Sequence, residues 1–223
     1  MQEKLRAYLD EVLRANRQFN LTAVRDPEIA WSKHILDSLQ GLMIELAGEG
    51  STPFASGARV LDVGSGAGFP GVVLAIARPD LQVTLLEATR KKCNFLEAAI
   101  SLHAPNAQVL CARAEDAGHN VNLRETFDVA LARAVGSFSE VCELCLPFVK
   151  IGGHTVLWRG QYAPLEIEES KRALQTLGGA AQVLPAYALP DHDAQYHLVL
   201  VKKTKTTPPI YPRRSGVPKQ EPL

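Results

Sequence analysis

Long apolar runs are missing from this chain of 223 residues. None approaches the roughly 20 residues that a membrane-spanning helix needs, and the acidic, amphipathic N terminus is not built like a signal peptide. With 46% apolar residues and a mean hydropathy of −0.03, the composition is that of a soluble globular protein. Cysteine is sparse as well. Four residues without an extracellular signature indicate a reducing cytoplasm. Cys142-x-x-Cys145 has a redox or half-zinc spacing, but no second CxxC and no HxxxH completes a zinc site, and the pair falls mid-helix on an apolar face. Packing accounts for it. The six histidines show no ligand spacing, so no metal is indicated. Net charge is absent too, since 24 basic residues offset 24 acidic ones, and overall composition does not mark a nucleic-acid binder.

What the chain does have is one organising stretch, Arg59-Val60-Leu61-Asp62-Val63-Gly64-Ser65-Gly66-Ala67-Gly68-Phe69-Pro70-Gly71. Val60, Leu61 and Val63 make an apolar run too short for a helix, which predicts a buried strand. Glycines at alternate positions follow, then an apolar helix from Val72 to Ala77. A strand, a glycine turn and a helix N terminus let backbone approach a nucleotide-like ligand closely. Two patterns fit the turn. Gly66, Gly68 and Gly71 match the dinucleotide spacing G-x-G-x-x-G. Asp62, Gly64, Gly66 and Gly68 match D-x-G-x-G-x-G, the pattern of enzymes using S-adenosylmethionine. The carboxylate favours the second, because it can hold loop amides or meet the cationic methionine end, whereas it would repel a pyrophosphate. A purely structural turn is the third alternative.

The remaining periodicity describes one α/β domain with a helical cap. Leu5, Leu9, Val12 and Leu13 lie on one face of a helix ending near Asn16. Asp26-Pro27 reads as an N-cap and first turn, with Ile35, Leu36, Leu39, Leu42, Met43 and Leu46 on the apolar face beyond it. Residues 47–57 are small, polar and proline-broken, hence a linker. The expected organisation is a cap and linker at 1–57, a catalytic domain at 58–201 and a tail at 202–223. Strands are predicted at Gln82–Leu86, Ala107–Cys111, Phe127–Ala132, from Gly152 to Trp158, at Gln182–Tyr187 and at Tyr196–Val201, with a charged helix from Pro164 to Leu177. This is a doubly wound sheet closed by a late antiparallel hairpin.

Several residues fall at the carboxyl ends of those strands. Glu87 lies nineteen residues beyond Gly68, close to the spacing at which a second-strand carboxylate takes ribose hydroxyls, or it is a plain surface acid. Ala114 and Glu115 follow the third strand, beside the expected adenine. Arg133 ends the fourth, where it guides a cofactor carboxylate, meets an RNA phosphate or forms a structural ion pair. Its removal is expected to lower turnover more than stability. Asn20-Leu21-Thr22 and residues 34–38 are explained by capping and core satisfaction. Neutrality hides an asymmetry: residues 202–223 carry +5 and residues 1–201 carry −5. Such a proline-rich basic arm suits an RNA partner or is a solvated terminus.

These residues resemble the RsmG, or GidB, family of small-subunit rRNA guanine-N7 methyltransferases. The matches are Asn20-Leu21-Thr22-Ala23-Val24, His34-x-x-Asp37-Ser38-Leu39, the turn from Asp62 through Gly71, Lys92-x-x-Phe95-Leu96, Arg113-Ala114-Glu115, Arg133-Ala134 and Pro212-Arg213-Arg214-x-Gly216-x-Pro218. They cover nearly the whole chain. The resemblance implies a class I, Rossmann-like S-adenosylmethionine-dependent fold and cofactor contacts at Gly64, Phe69, Glu87, Ala88, Thr89, Ala114, Glu115 and Arg133. It implies a 16S rRNA or small-subunit substrate. Guanine N7 carries a lone pair and no proton, so no catalytic acid or base is expected, and Arg133, Arg159 and the basic tail with Arg213 and Arg214 are expected to position the RNA. The chain departs from the family pattern at Ile151, where proline is common, and at Arg159, where lysine is. A cytoplasmic monomer is expected, with no membrane partner. An oxidoreductase would need a proton relay, and no Y-x-x-x-K occurs; a non-catalytic RNA-binding module is the other alternative.

Overall fold

The computed structural model describes residues 1–44, 52–190 and 192–223. Its sheet runs β3-β2-β1-β4-β5-β8-β6, with β7 paired to β8. The strands are β1 (Arg59–Val63), β2 (Gln82–Glu87), β3 (Ala107–Cys111), β4 (Phe127–Arg133), β5 (Val149–Gly160), β6 (Gly179–Val183), β7 (Tyr187–Ala188) and β8 (Gln195–Lys203). β1 through β5 are parallel, and β8 enters antiparallel between β5 and β6. A dinucleotide-binding sheet has six parallel strands in the order 3-2-1-4-5-6, so the antiparallel β8 gives the class I methyltransferase order instead.

Side-chain alternation splits the core into two layers. Val60, Val83, Leu85, Val129, Leu131 and Val156 face one side, against Leu5, Tyr8, Leu9 and Val12 of α1 (Gln2–Asn16), Val72 and Val73 of α4 (Gly71–Ala77) and Leu96 of α5 (Arg90–His103). Leu61, Val63, Leu86, Ala130, Leu157 and Val199 face the other, against α7 (Phe138–Cys145) and α9 (Lys171–Leu177). Cys142 and Cys145 are buried free thiols in α7.

The cap departs from one regular helix. Asp26 does cap it, its side chain accepting from Glu28 N and Ile29 N at 3.0 and 2.9 Å. After α2 (Pro27–Ala30) the backbone widens to a π turn (Trp31–Leu36), returns to α3 (Asp37–Leu39) and tightens to a 3₁₀ turn (Gln40–Met43). Each change of winding rotates the faces. Ser32, Asp37 and Ser38 are therefore buried, while Met43, expected on the apolar face, is 75% exposed. Leu46 and residues 47–51 of the expected linker lie outside the described residues. A Cβ at Gly41 would stand 2.8 Å from the Trp158 ring, so glycine lets the cap reach β5.

Three other expectations change. The helix expected over 164–177 is two, α8 (Ala163–Glu169) and α9, meeting at Ser170. The strand expected over 182–187 is interrupted, because Pro185 has no N–H to give a ladder; β6 ends before it and β7 resumes after it. The tail is folded back, with α10 (Val217–Gln220) against α7 and with Pro212 and Pro218 buried. No described helix is long and apolar enough to cross a membrane.

Candidate active site

The turn after β1 is held by two carboxylates and by its own backbone. Gly64 N and Ser65 N donate to Leu86 O at 2.8 and 3.1 Å, and Gly68 N donates to Ser65 O at 2.7 Å. Gly64, Gly66 and Gly68 have φ of 72°, 59° and 86°, the left-handed region that disfavours any Cβ. At Gly68 space also forbids one: a Cβ would lie 2.2 Å from Tyr8 Oη and 2.6 Å from Val72 Cγ2. Tyr8, fully buried, donates to Ala67 O and ties α1 to the turn. At Gly66, among the described residues other than its two chain neighbours, the nearest atom to a Cβ would be Gly64 O, at 3.8 Å. The turn is open there.

Asp62 sits beneath this turn, 1% exposed. Its Oδ2 accepts from Gly71 N at 3.0 Å, at the start of α4, so one of its expected tasks, holding a loop amide, is met within the chain. Burial pushes its carboxyl up to about 7, against the opposing pull of that amide and of Arg133. Glu87 ends the neighbouring strand. Its Oε2 accepts from Gly66 N at 3.0 Å and its Oε1 from Thr89 N at 2.8 Å. Two of about four carboxylate acceptor sites are thereby used. Ala88 and Thr89, both exposed, continue from it into α5.

Arg133 arrives from β4 and is almost enclosed by the cap. Nη1 donates to Lys33 O at 2.7 Å and to Asp37 Oδ2 at 2.9 Å, while Nη2 meets His34 Nδ1 at 3.1 Å. Burial, aided by Arg133, lowers the His34 pKa to about 4, so the ring is neutral and Nδ1 accepts. Its Nε2 lies 2.8 Å from Thr22 Oγ1. The ring also stacks on Phe69 at 4.6 Å and 12°, and the Arg133 guanidinium lies 5.6 Å from the Phe69 centroid. Asp37 Oδ1 accepts from Tyr187 Oη at 2.6 Å, and Asp37 O from Trp158 Nε1 at 2.7 Å. The cap motifs, expected to serve capping and core satisfaction, thus hold Arg133 beside Phe69 of the turn. Their recurrence as family motifs was the sequence signal for it; the participation of Tyr187 had none.

A cleft of about 500 Å³ adjoins this network, lined among others by Arg133, Val135, Arg159, Glu166 and Tyr196. Arg159 forms a two-pronged ion pair with Glu166, Nε to Oε2 at 2.8 Å and Nη2 to Oε1 at 2.6 Å. Elsewhere in the same helical layer, Ala114 and Glu115 open α6 (Ala114–Ala117), which packs on α7, and Glu115 Oε1 accepts from Gly216 N of the tail at 3.2 Å. Arg213 grips Glu143, which is fully buried, through Nη2 at 2.6 Å and Nε at 2.9 Å. Lys203 is buried as well and donates to Leu146 O at 2.6 Å. Two of the tail's six cations therefore brace the fold. Arg214 is exposed.

The family model for GidB, rRNA small subunit methyltransferase G, matches residues 1–198. The chain belongs to that family. It is a small-subunit rRNA methyltransferase of the S-adenosylmethionine-dependent kind. Ribosomal RNA small subunit methyltransferase G of Moorella thermoacetica is 39% identical over 220 residues, covering 98% of this chain and 89% of the relative. The protein of the same name from Symbiobacterium thermophilum is 40% identical over 227 residues, covering 99% and 89%. Among solved structures, the T. thermophilus 16S rRNA N2 G1207 methyltransferase, in complex with AdoMet and guanosine, has a TM-score of 0.51 at 19% identity, over 77% of this chain and 39% of that one. P. horikoshii TYW2 in complex with MeSAdo gives 0.55 at 16% identity, over 77% and 63%. These two likenesses concern the fold.

Proposed function

We propose that the chain transfers the methyl group of S-adenosylmethionine to N7 of a guanine in 16S rRNA. The observation that carries the cofactor is the open inner side of Gly66 beside the Glu87 carboxylate. The space that a side chain would occupy is open, and a buried acid with unused acceptor sites borders it, which supports a ligand there. Glu87 would take the ribose hydroxyls, Ala88 and Thr89 would border them, and Ala114 and Glu115 would border the adenine. Asp62 and Gly64 would lie at the methionine end with Phe69 and Arg133.

Bound S-adenosylmethionine supplies a methyl group activated by its sulfonium. Guanine N7 already carries an in-plane lone pair and no proton, so the chain needs no general base and none is named. Its contribution is placement, which for well-oriented groups is worth about 7–11 kcal/mol of the barrier. Arg133 and Arg159, already committed to Asp37 and Glu166, would act on RNA through the walls they hold. Arg213 would anchor the tail so that exposed Arg214 meets phosphate. The partner is 16S rRNA or an assembling small subunit in the cytoplasm, met by a monomer.

The test uses labelled S-adenosylmethionine, undermodified small subunits or their rRNA, and mass spectrometry of digested nucleosides. New 7-methylguanosine at one site is the expected result. Label in another nucleoside, or none despite cofactor binding, rules the N7 assignment out.

A further inference from the structure

The cleft beside Arg133 holds a carboxylate whose setting is built and whose use is unassigned. Glu166 stands on α8 with both oxygens engaged by Arg159, at 2.8 and 2.6 Å. Arg159 is itself fixed, its Nη1 donating to Gly136 O at 3.2 Å. The Arg159 side chain is 12% exposed and the Glu166 side chain 30%. Glu166 is therefore oriented by a fork of two hydrogen bonds and still offers acceptor sites to the cleft. Tyr187 and Tyr196, stacked at 5.8 Å, line the same space with aromatic surface. Its volume of about 500 Å³ suits a small flat ligand.

Only one of the four bases matches such a carboxylate with two neighbouring donors. Guanine presents N1–H and N2–H₂ side by side. Adenine and cytosine pair one amino group with a ring acceptor, and uracil sets one N–H between two carbonyls that would face the carboxylate. Guanine also carries N7 on the opposite side of the ring system, so a group reading the N1/N2 edge leaves N7 uncovered. A wall links the cleft to the turn: Val135, which lines it, lies so close to Gly64 that a Cβ there would be 3.1 Å from Val135 Cγ2.

Building on the methyltransferase reading above, we propose that Glu166, oriented by Arg159, accepts from N1–H and N2–H₂ of the target guanine and so turns its N7 toward the glycine turn. Tyr196 and Tyr187 offer the base a stacking surface. The base must be unpaired to be read on this edge, which places the target in a loop or requires its extrusion.

Inosine is guanosine without the N2 amino group and keeps N7. Small-subunit rRNA carrying guanosine or inosine at the methylated position is compared with the unaltered enzyme and with Glu166→Gln. The unaltered enzyme should lose about 10- to 100-fold in kcat/KM on inosine, the effect of leaving one carboxylate acceptor unmatched. In Glu166→Gln the two substrates should come within about 3-fold of each other, through a slower reaction with guanosine. This ratio is insensitive to the folded fraction of the variant. Where turnover is too slow, the ratio of equilibrium affinities for the two RNAs, with S-adenosylhomocysteine present, gives the same comparison. Glu166→Asp, which keeps both acceptors, should retain discrimination. Equal discrimination by Glu166→Gln and the unaltered enzyme, or none by the latter, overturns the assignment. Failure of the unaltered enzyme to methylate guanosine at all overturns the N7 reading instead.

Discussion

The glycine turn and the arginine network meet at Phe69 but are made in opposite ways. Asp62 reaches Gly71 and Glu87 reaches Gly66, so the turn closes on partners nine and twenty-one residues away. Arg133 reaches the cap across 96 residues, and Tyr187 reaches Asp37 across 150. The turn is shaped by backbone that only glycine tolerates. The network is shaped by charge that only its exact partners neutralise. One region therefore fails by collision, the other by leaving a buried group unmatched.

The first way to break this contrast is Gly68→Ala. The new methyl group collides with Tyr8 and Val72 in a left-handed backbone, and we expect a loss of about 3–5 kcal/mol in denaturant unfolding. Gly66→Ala has room and should cost about 1–2 kcal/mol, the left-handed penalty alone. It should nevertheless abolish the thermal stabilisation given by S-adenosylmethionine. Retained stabilisation would place the ligand elsewhere.

Arg133→Ala should come next, at about 3 kcal/mol or more, because it strands Asp37 in a buried setting. This stability cost is added by the pairing with Asp37 to the loss of turnover expected from sequence. Tyr187→Phe removes one hydrogen bond from the same carboxylate and should cost about 1–2 kcal/mol. An equal loss from both would show that Asp37 depends as much on the hydroxyl as on the charge.

Asp62 sharpens the turn's side of the contrast through pH. Its folded pKa of about 7 lies above the ordinary 3.8, so the folded state holds the proton more tightly. The unaltered protein should lose stability relative to Asp62→Asn as pH rises from about 4 to 7, a change readable from urea midpoints. If Asp62 also meets the cationic end of the cofactor, affinity should rise over the upper part of that range and Asp62→Asn should lack the trend. The smallest effect on stability is expected for Arg214→Ala: within about 0.5 kcal/mol, with weaker rRNA binding in a filter or fluorescence assay.

β1 and β2 were legible because parallel strands buried on both faces read as short apolar runs, and the edge strand β3 because its apolar run is as short. Ala107–Cys111 is found with its expected bounds, and Arg59–Val63 begins one residue early. Glu87 was legible as a candidate because it ends such a run. The cap's faces were not, since a π turn changes the period on which the reading depends. The split at Pro185 was visible in principle, as a missing donor. Arg133 could be placed at the rim from its strand, but its commitment to Lys33, His34 and Asp37 depends on how two distant segments pack. The tail's charge was legible, but the engagement of Arg213 and Lys203 within the fold was not, because the burial of Glu143 cannot be read from spacing.

The folded-back tail has a consequence for what its displacement would uncover. Residues 207–216 supply partners of Arg124, Glu143 and Glu115. Were they lifted away, every strand would keep its neighbours, yet the fully buried Glu143 would lose its cation and α6 its strut. The segment is therefore a latch on the helical layer, and peeling it off leaves an intact sheet with an uncompensated charge beneath it.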